Sequence, residues 1–342
     1  SLDRGDTWEE ISPDLTDNDP AKIAGQGHIM FCTITTISES PLKPGIIWVG
    51  TDDGHVHMTQ DHGAHWTEMT EKIAAVGGPK HIWVSRVYTS NHHAGTAYVS
   101  KSGYREDVFK PFVFKTGDFG KTWQNISGNL PASPVSVVYE DQVNPDLLFA
   151  GTDIGVYFTL DQGNTWMPLK NNMPPIPVRD LLVHPREKDL VVGTYGRGVW
   201  VTNISPLQEL SSDLLDQDFY LFNIIDEHVN NSSPRAGWGN YQMTGDAHIR
   251  TRNERPGLNL YYYIKDNLDD ALSIIVEDFD GHKIADLKTA KAAGIHKFTW
   301  NSPEAKPGTF RFILTDGEKR IVKKGTLKPE INFPIGNPDD FR

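Results

Sequence analysis

The sequence predicts an all-β fold: a partial β-propeller of four-stranded antiparallel blades, followed by a small β-sandwich. Glycine and proline are frequent, with 30 and 22 residues among 342, and 9 Trp, 11 Tyr and 15 Phe accompany them. This composition is typical of many short strands joined by tight turns. A turn motif also recurs four times in the first half, and short alternating apolar runs return after residue 256. Two domains are expected at this length.

The recurrent motif combines an aspartate, a glycine two positions later and a tryptophan three positions after the glycine. Its tryptophans follow one another at intervals of 58, 57 and 43 residues, which is propeller-blade spacing. The glycine allows a positive φ, the aspartate accepts hydrogen bonds from turn N–H groups, and the tryptophan can bury about 150–250 Å² between neighbouring sheets. Regular recurrence favours a structural role for these aspartates over a catalytic one. The motif residues are Asp3, Gly5, Trp8, Asp61, Gly63, Trp66, Asp118, Gly120, Trp123, Asp161, Gly163 and Trp166.

One copy of the motif departs from the others. His65 stands where the other copies have Thr7, Thr122 and Thr165. We therefore expect this turn to lose a hydroxyl hydrogen bond worth about 1 kcal/mol.

Between the motifs, each unit is predicted to have three strands before the Asp turn and one after it. The strands expected in the three complete units are 28–38, 46–50, 55–59, 66–69; 81–89, 96–100, 112–116, 123–126; and 135–140, 147–151, 156–159, 166–169. A last unit, 178–184, 190–193 and 199–202, has no motif to supply its fourth strand.

Residues 7–11 are predicted to form a fourth strand without its first three. They could complete the last unit and close a four-bladed ring, as in propellers that draw one blade from both chain ends. The second arrangement, which we favour, is that the chain is the C-terminal part of a longer propeller with further blades upstream. An open sheet edge would then be exposed or covered by a partner.

The second half of the chain loses the motif. Residues 206–255 are predicted to be a connector, with a short helix near 207–215 and a polar stretch from 230. Residues 256–329 contain five or six alternating runs separated by turns such as Asp280-Gly and Asp316-Gly, which indicates a sandwich. Residues 330–342 are assigned to a tail.

Several functional classes are excluded by composition. The formal net charge is -12 and no Lys/Arg run is present, so nucleic acid is not an expected partner. Apolar runs are far shorter than the roughly 20 residues of a membrane span. Cys32 is the single cysteine, which excludes an internal disulfide.

His55 and His57 share one face of a strand, but no third ligand is recognisable, so neither a metal site nor a cofactor is predicted.

The turns between second and third strands are expected at the end opposite the Asp turns, where propellers bind ligands. Tyrosine, arginine and scattered carboxylates there suit a sugar or another polyol. Asp52 and Asp153 recur at equivalent positions, so capping the glycine-containing turns is the role we favour for them over ligand binding. The candidate residues on this face are Asp52, Asp53, His55, Tyr104, Arg105, Asp153, Tyr195 and Arg197, with Tyr104 and Arg105 the least explained by turn geometry.

The motifs, the turns Val49–Gly54 and Ala150–Gly155, and the segment Gly193–Trp200 resemble bacterial sortilin-type, Asp-box (BNR) repeat, glycosyl hydrolase-like proteins. This resemblance covers about residues 1–210, and it implies an Ig-like C-terminal domain and a secreted, periplasmic or cell-surface location. It further implies a scaffold that binds a glycan or a protein. The alternative is a sialidase- or xyloglucanase-like glycosidase whose cleft is shared with upstream blades.

A glycosidase needs two carboxyl groups, about 5–5.5 Å apart for retention or 6.5–9.5 Å for inversion, and the sequence does not identify that pair. Arginines at 86, 179 and 197 are positioned to face the channel, but no sialidase nucleophile accompanies them. Whether the chain is an enzyme stays open.

Overall fold

A computed structural model describes residues 1, 3–25, 31–170, 172–229, 256–301 and 306–329. The chain divides into two compact units, Ser1–Glu209 and Leu210–Arg342, called here the N-terminal and C-terminal units. No helix in the described ranges is long and apolar enough to cross a membrane.

The N-terminal unit consists of four antiparallel sheets, each made of strands consecutive in the chain. After α1 (Pro20–Gly25), blade 1 has β1 (Ile34–Glu39), β2 (Ile47–Thr51), β3 (Val56–Thr59) and β4 (Thr67–Glu68), and α2 (Thr70–Ala74) follows. Blade 2 has β5 (Val84–Thr89), β6 (Ala97–Gly103), a 3-10 helix (Tyr104–Glu106), β7 (Val108–Thr116) and β8 (Gln124–Asn125). Blade 3 has β9 (Val135–Glu140), β10 (Leu148–Thr152), β11 (Gly155–Thr159) and β12 (Met167–Pro168).

Blade 4 has only three strands, β13 (Val178–His184), β14 (Asp189–Thr194) and β15 (Val199–Asn203), before α3 (Ser205–Glu209). The first strands of successive blades contact one another, so the sheets fan out from their inner edges. The predicted all-β fold with a partial propeller is confirmed. Residues 7–11 form no strand and do not pair with blade 4, so the four-bladed closure does not occur.

Glycines in the second strands explain how neighbouring blades come so close. A Cβ on Gly50 would lie 2.3 Å from Val84 Cγ1 of blade 2, and one on Gly151 would lie 2.6 Å from Val178 Cγ1 of blade 4. Any side chain at these positions would collide with the first strand of the next blade. The recurrent Gly-Thr pair that ends β2 and β10 is therefore a packing requirement.

The Asp hairpins have the geometry that the motif predicts, and they correct the expectation for His65. In the third copy, Asp118 accepts hydrogen bonds from the backbone N–H and the hydroxyl of Thr122, at 2.9 and 2.7 Å. In the second copy, the backbone N–H of His65 donates to Asp61 at 2.9 Å, and His65 Nδ1 lies 2.7 Å from the other carboxylate oxygen. The predicted loss of a hydrogen bond is wrong, because the imidazole of His65 bonds to the same carboxylate oxygen that accepts from the threonine hydroxyl in the third copy.

The tryptophans of the motif differ in burial. Trp166 is 2% exposed and donates from its indole nitrogen to the Ile126 carbonyl at 2.8 Å. Trp66 makes the equivalent bond to the Ile11 carbonyl at 2.9 Å. Trp8, by contrast, is 82% exposed, so the expectation that every motif tryptophan is buried between sheets is wrong for this copy. The described chain provides no earlier blade for it to pack on.

The C-terminal unit consists of two sheets around one apolar core. It begins with α4 (Ser212–Leu215). One sheet has the order β16 (Phe219–Leu221), β18 (Leu258–Ile264), β21 (Gly294–Trp300). The other has the order β17 (Glu227–His228), β23 (Arg320–Lys328), β22 (Gly308–Thr315), β19 (Ser273–Glu277), β20 (Lys283–Lys288), with β17 parallel to β23.

Both sheets of this unit contribute to the same core, which makes it a β-sandwich. Leu260 and Trp300 come from the smaller sheet, and Ile274 and Phe312 come from the larger one. Strands β16 and β17 lie inside the stretch that was expected to be a connector. The polar stretch 230–255 and the tail 330–342 fall outside the described residues.

Candidate functional site

One end of the N-terminal unit carries the turns that join second to third strands, and we call it the loop face. In each blade, a residue at the end of the second strand donates its backbone N–H to the carbonyl of the residue before the first strand. This bond fixes each turn against the start of its own blade. The four bonds are Asp52 to Thr33 (3.1 Å), Ser102 to Trp83 (3.0 Å), Asp153 to Pro134 (3.3 Å) and Tyr195 to Pro177 (2.9 Å).

Asp52 and Asp53 are buried on the loop face, and their carboxylates are occupied by local hydrogen bonds. Asp52 accepts from the backbone N–H of Thr33 at 2.8 Å and from its hydroxyl at 3.1 Å. Asp53 accepts from the Thr51 hydroxyl and from the backbone N–H of Asp17, the latter at 2.7 Å. These two carboxylates hold the chain around the turn.

An ion pair spans the inner edges of blades 2 and 4. Arg86 of β5 and Asp180 of β13 are 2.6 Å apart between Nη2 and Oδ1, and the Asp180 side chain is 64% exposed. The buried Nε of Arg86 has no hydrogen-bond partner among the described residues. This guanidinium therefore has donor capacity that the protein leaves unused.

A second arginine on the loop face joins a carboxylate to an exposed aromatic ring. Arg179 Nη1 lies 3.2 Å from Asp153 Oδ1 and donates to Ser136 Oγ at 3.3 Å. Its guanidinium carbon is 5.4 Å from the centroid of the Tyr195 ring, which is 71% exposed. Together with the first pair, these residues form what we call the channel cluster: Arg86, Asp153, Arg179, Asp180 and Tyr195.

Tyr104 and Arg105 lie in the 3-10 helix that joins β6 to β7 on the loop face. Arg105 stacks over Trp83 at 5.2 Å, and Tyr104 is exposed. Burial raises the pKa of the adjacent Glu106 carboxyl.

Arg197 lies in the exposed turn of blade 4, where its carbonyl accepts from Trp200 Nε1 at 3.2 Å. In the described residues, no hydrogen bond or ion pair is seen between these side chains and the channel cluster.

His55 lies between two carboxylates at the edge of blade 1. Its Nδ1 is 2.7 Å from Glu68 and its Nε2 is 2.8 Å from Asp17. Burial alone would lower the pKa of His55, but the hydrogen bonds with Glu68 and Asp17 outweigh it and the pKa is raised. Burial lowers the pKa of the neighbouring His57.

Sequence reasoning missed Asp17, Glu68 and Asp180. Asp180 pairs with Gly193 in the register of its blade, as Arg86 pairs with Ser100 in blade 2. Asp180 and Arg86 therefore occupy equivalent positions of the repeat, and an alignment of the first strands of the blades would have identified them as candidate partners. Glu68 is directly opposite His57 in the β3–β4 hairpin, so its position follows from the register of that hairpin.

The fold and this geometry define a partial β-propeller with paired charged side chains and an exposed aromatic ring on its loop face. No protein-family model matches the chain. A stretch of 111 residues, 32% of this chain and 12% of the relative, is 28% identical to a probable oligoxyloglucan-reducing end-specific xyloglucanase of Neosartorya fischeri.

Solved structures similar to the chain include two GH74 enzymes and one further protein. An ancestral GH74 enzyme has a TM-score of 0.42 and 13% identity, with 86% of this chain and 41% of that chain covered. The GH74 xyloglucanase of Xanthomonas campestris has a TM-score of 0.41 and 12% identity, with 85% and 43% covered. YCF48 from Cyanidioschyzon merolae has a TM-score of 0.33 and 12% identity, with 83% and 80% covered. The chain thus spans less than half the length of the two enzymes.

Proposed function

We propose that the N-terminal unit is a binding module that holds a glycan at the channel cluster. The observation that carries this proposal is the presence of two arginine–carboxylate pairs, Arg86–Asp180 and Arg179–Asp153, that share the start of β13. The Arg179 guanidinium also lies over the exposed ring of Tyr195. Sugar hydroxyls both donate and accept, so they can pair with guanidinium and carboxylate groups at once. A pyranose face can stack on Tyr195. The other ligand class with suitable chemistry is a polar peptide.

The remaining expectations from the sequence belong to the same proposal. The chain is a part of a secreted or cell-surface glycosyl hydrolase-like protein of the sortilin-type, Asp-box class, and its C-terminal sandwich is an Ig-like spacer. Upstream blades of the same protein cover the exposed side of blade 1. Support for this comes from Trp8 and Ile37, which are large apolar residues with exposed side chains.

The test uses xyloglucan oligosaccharides, because the matched relative is described as acting on them. Isothermal titration calorimetry is expected to show binding by the wild-type protein and about fivefold weaker binding by Tyr195→Ala, since loss of a stacked ring costs about 1 kcal/mol. Asp180→Asn is expected to weaken binding as well. Phe279→Ala removes a 75% exposed aromatic of the C-terminal unit and is the matched control.

Two outcomes would reject the glycan site. One is the absence of binding to any of a panel of plant and bacterial polysaccharides. The other is binding that is equal in wild type, Tyr195→Ala and Asp180→Asn. Binding of polar peptides but not of oligosaccharides would show that the ligand of the site is a peptide.

A second candidate function is glycoside hydrolysis. It is favoured by the 28% identity to the xyloglucanase over 111 residues. Glu106 of the loop face is the carboxyl that we assign as the general acid, because desolvation shifts its pKa upward, the direction that such an acid needs. If it is correct, the protein releases reducing ends from xyloglucan, and Glu106→Gln lowers the turnover at least a thousandfold while leaving oligosaccharide binding in place. Absence of reducing-end release by the wild-type protein would eliminate this candidate.

A further inference from the structure

A second group of chemically active side chains lies on blade 1, outside the channel cluster. It consists of His55, His57 and Glu68. A ring nitrogen of each histidine and a carboxylate oxygen of Glu68 all lie within 4.8 Å of one another. The strands explain this convergence, because His57 is directly opposite Glu68 in the β3–β4 pairing and His55 precedes His57 by two residues on the same face.

The segment before α1 supplies a carboxylate acceptor to His55. Asp17 Oδ1 is 2.8 Å from His55 Nε2. A carboxylate or carbonyl that takes the N–H of an imidazole is the usual support of a metal-ligating histidine, because it fixes the tautomer and the ring orientation. The His55 and His57 rings are held nearly parallel, at 29° with centroids 5.9 Å apart.

We propose that His55, His57 and Glu68 bind a zinc ion, with water at the fourth position. Two imidazoles and one carboxylate with an open position form a ligand set that zinc accepts. Zinc replaces the proton between His55 Nδ1 and Glu68, and that proton leaves to solvent. His55 keeps its Nε2 proton and donates it to Asp17. No other bond changes.

The distances allow this arrangement with small movements. Zinc–nitrogen and zinc–oxygen bonds of about 2.0–2.2 Å place tetrahedral ligand atoms about 3.3 Å apart. The present separation of 2.7 Å between His55 and Glu68 must widen, and the longer ones, up to 4.8 Å, must shorten. Glu68 is part of a short, exposed outer strand, and its side chain is 47% accessible, so it can adjust and solvent can reach the ion.

Two other groups of possible metal ligands fit zinc less well. Asp53 is also near His55, but its oxygens accept from Thr51 and from the backbone of Asp17, so they are committed to the turn. In the C-terminal unit, Asp278, Asp280 and His282 also come together. That group offers one imidazole only, and Asp278 caps the turn through the His282 N–H. It is therefore a suitable control.

The inference is tested by calorimetric titration of ZnCl₂ into the full chain after treatment with a chelator. We expect one equivalent to bind, with at least tenfold weaker binding in His57→Ala and in Glu68→Gln. Asp17→Asn leaves the three ligands intact and should weaken binding by about 10–100-fold, as expected for loss of a supporting carboxylate. His282→Ala should bind zinc like the wild type.

A spectroscopic readout accompanies the titration. Cobalt(II) in place of zinc should give the intense visible absorption of a four-coordinate site in wild type, and Glu68→Gln should lose it. The proposal is wrong if no equivalent of zinc binds, or if His57→Ala and Glu68→Gln bind as tightly as wild type. Circular dichroism of each variant establishes that it is folded; should His57→Ala fail to fold, Glu68→Gln alone decides, because it is nearly isosteric and lies at an exposed position.

Discussion

The four motif tryptophans show that one residue type in one motif can differ completely in its contribution to stability. Trp166 fills the space between blades 2 and 3 beside Ile126 and Leu148, and its indole nitrogen is paired. Trp8 bonds only to the Gly5 carbonyl of its own turn, at 3.1 Å, and remains exposed. The turn therefore forms from local hydrogen bonds, whereas the tryptophan contributes only where a neighbouring sheet receives it.

This contrast gives a prediction with an internal control. Trp166→Ala should lower the free energy of unfolding by about 3–5 kcal/mol, because it removes a large buried side chain and leaves a cavity. Trp8→Ala should change it by less than about 0.5 kcal/mol. Chemical denaturation of both variants measures the two values, and equal effects would show that Trp8 is buried in solution.

Three aspartates near the candidate site have different hydrogen-bond and ion-pair partners. Asp52, Asp153 and Asp180 are all aspartates of the loop-face ends of strands, but Asp52 is committed to Thr33 while Asp153 and Asp180 pair with arginines. Residue type alone does not separate an aspartate that caps a turn from one that pairs with an arginine. The partner that each carboxylate finds makes the difference.

At the scale of strands and turns, neighbouring blades are joined by buried polar groups as well as by apolar packing. Glu140 at the end of β9 is buried and accepts from Ser90, from the backbone N–H of Asn91 and from the Tyr98 hydroxyl, all in blade 2. Lys101 of β6 is also buried, and its Nζ donates to the carbonyls of Gly54 at 2.8 Å and Pro79 at 2.7 Å. These contacts tie blade 2 to the blades on either side.

We expect Lys101 to make the stability of the junction between blades 1 and 2 dependent on pH. Burial lowers the pKa of Lys101 to about 7. Between about pH 7 and its ordinary value near 10.5, the folded lysine is neutral while the unfolded one still binds a proton, so the free energy of unfolding rises with pH in this window. A neutral amine has two N–H donors, which match the two carbonyls.

The measurement is chemical denaturation at pH 6.5 and pH 9 of the wild type and Lys101→Met. The wild type should gain stability relative to Lys101→Met on going from the lower to the higher pH. Lys121→Met removes an exposed lysine and should keep the wild-type pH dependence. A difference between wild type and Lys101→Met that does not change with pH would contradict the lowered pKa.

At the scale of the whole molecule, the two units have separate cores. The N-terminal unit has apolar clusters between its blades, one of which contains Trp166, and the C-terminal unit has one cluster that contains Phe312. Each unit can therefore unfold as a cooperative body of its own.

Scanning calorimetry tests this organisation. We expect two transitions, of which Trp166→Ala lowers only one and Phe312→Ala lowers only the other. Both substitutions remove a large buried ring, so each serves as the control for the other. One single transition that both variants shift would show that the units unfold together.

Much of the fold was predictable from the sequence, because the information is local and repeated. An aspartate, a glycine and a tryptophan at fixed spacing specify a hairpin, and four copies specify successive sheets. Strand positions followed from alternation, although β1 and β5 begin later, at Ile34 and Val84, than the apolar runs suggested. The strands β16 and β17 were missed, since runs of two and three residues carry no periodicity.

The sequence by itself therefore determined the all-β class, the blades and their hairpins, since each depends on residues within one turn of one another. Only the tertiary structure decided which side chains meet. The pairing of Arg86 with Asp180 joins residues 94 positions apart, and His55 meets Asp17 across 38. Such pairs form where segments distant in the chain pack together, and their geometry is set by that packing, which no local pattern of residues encodes.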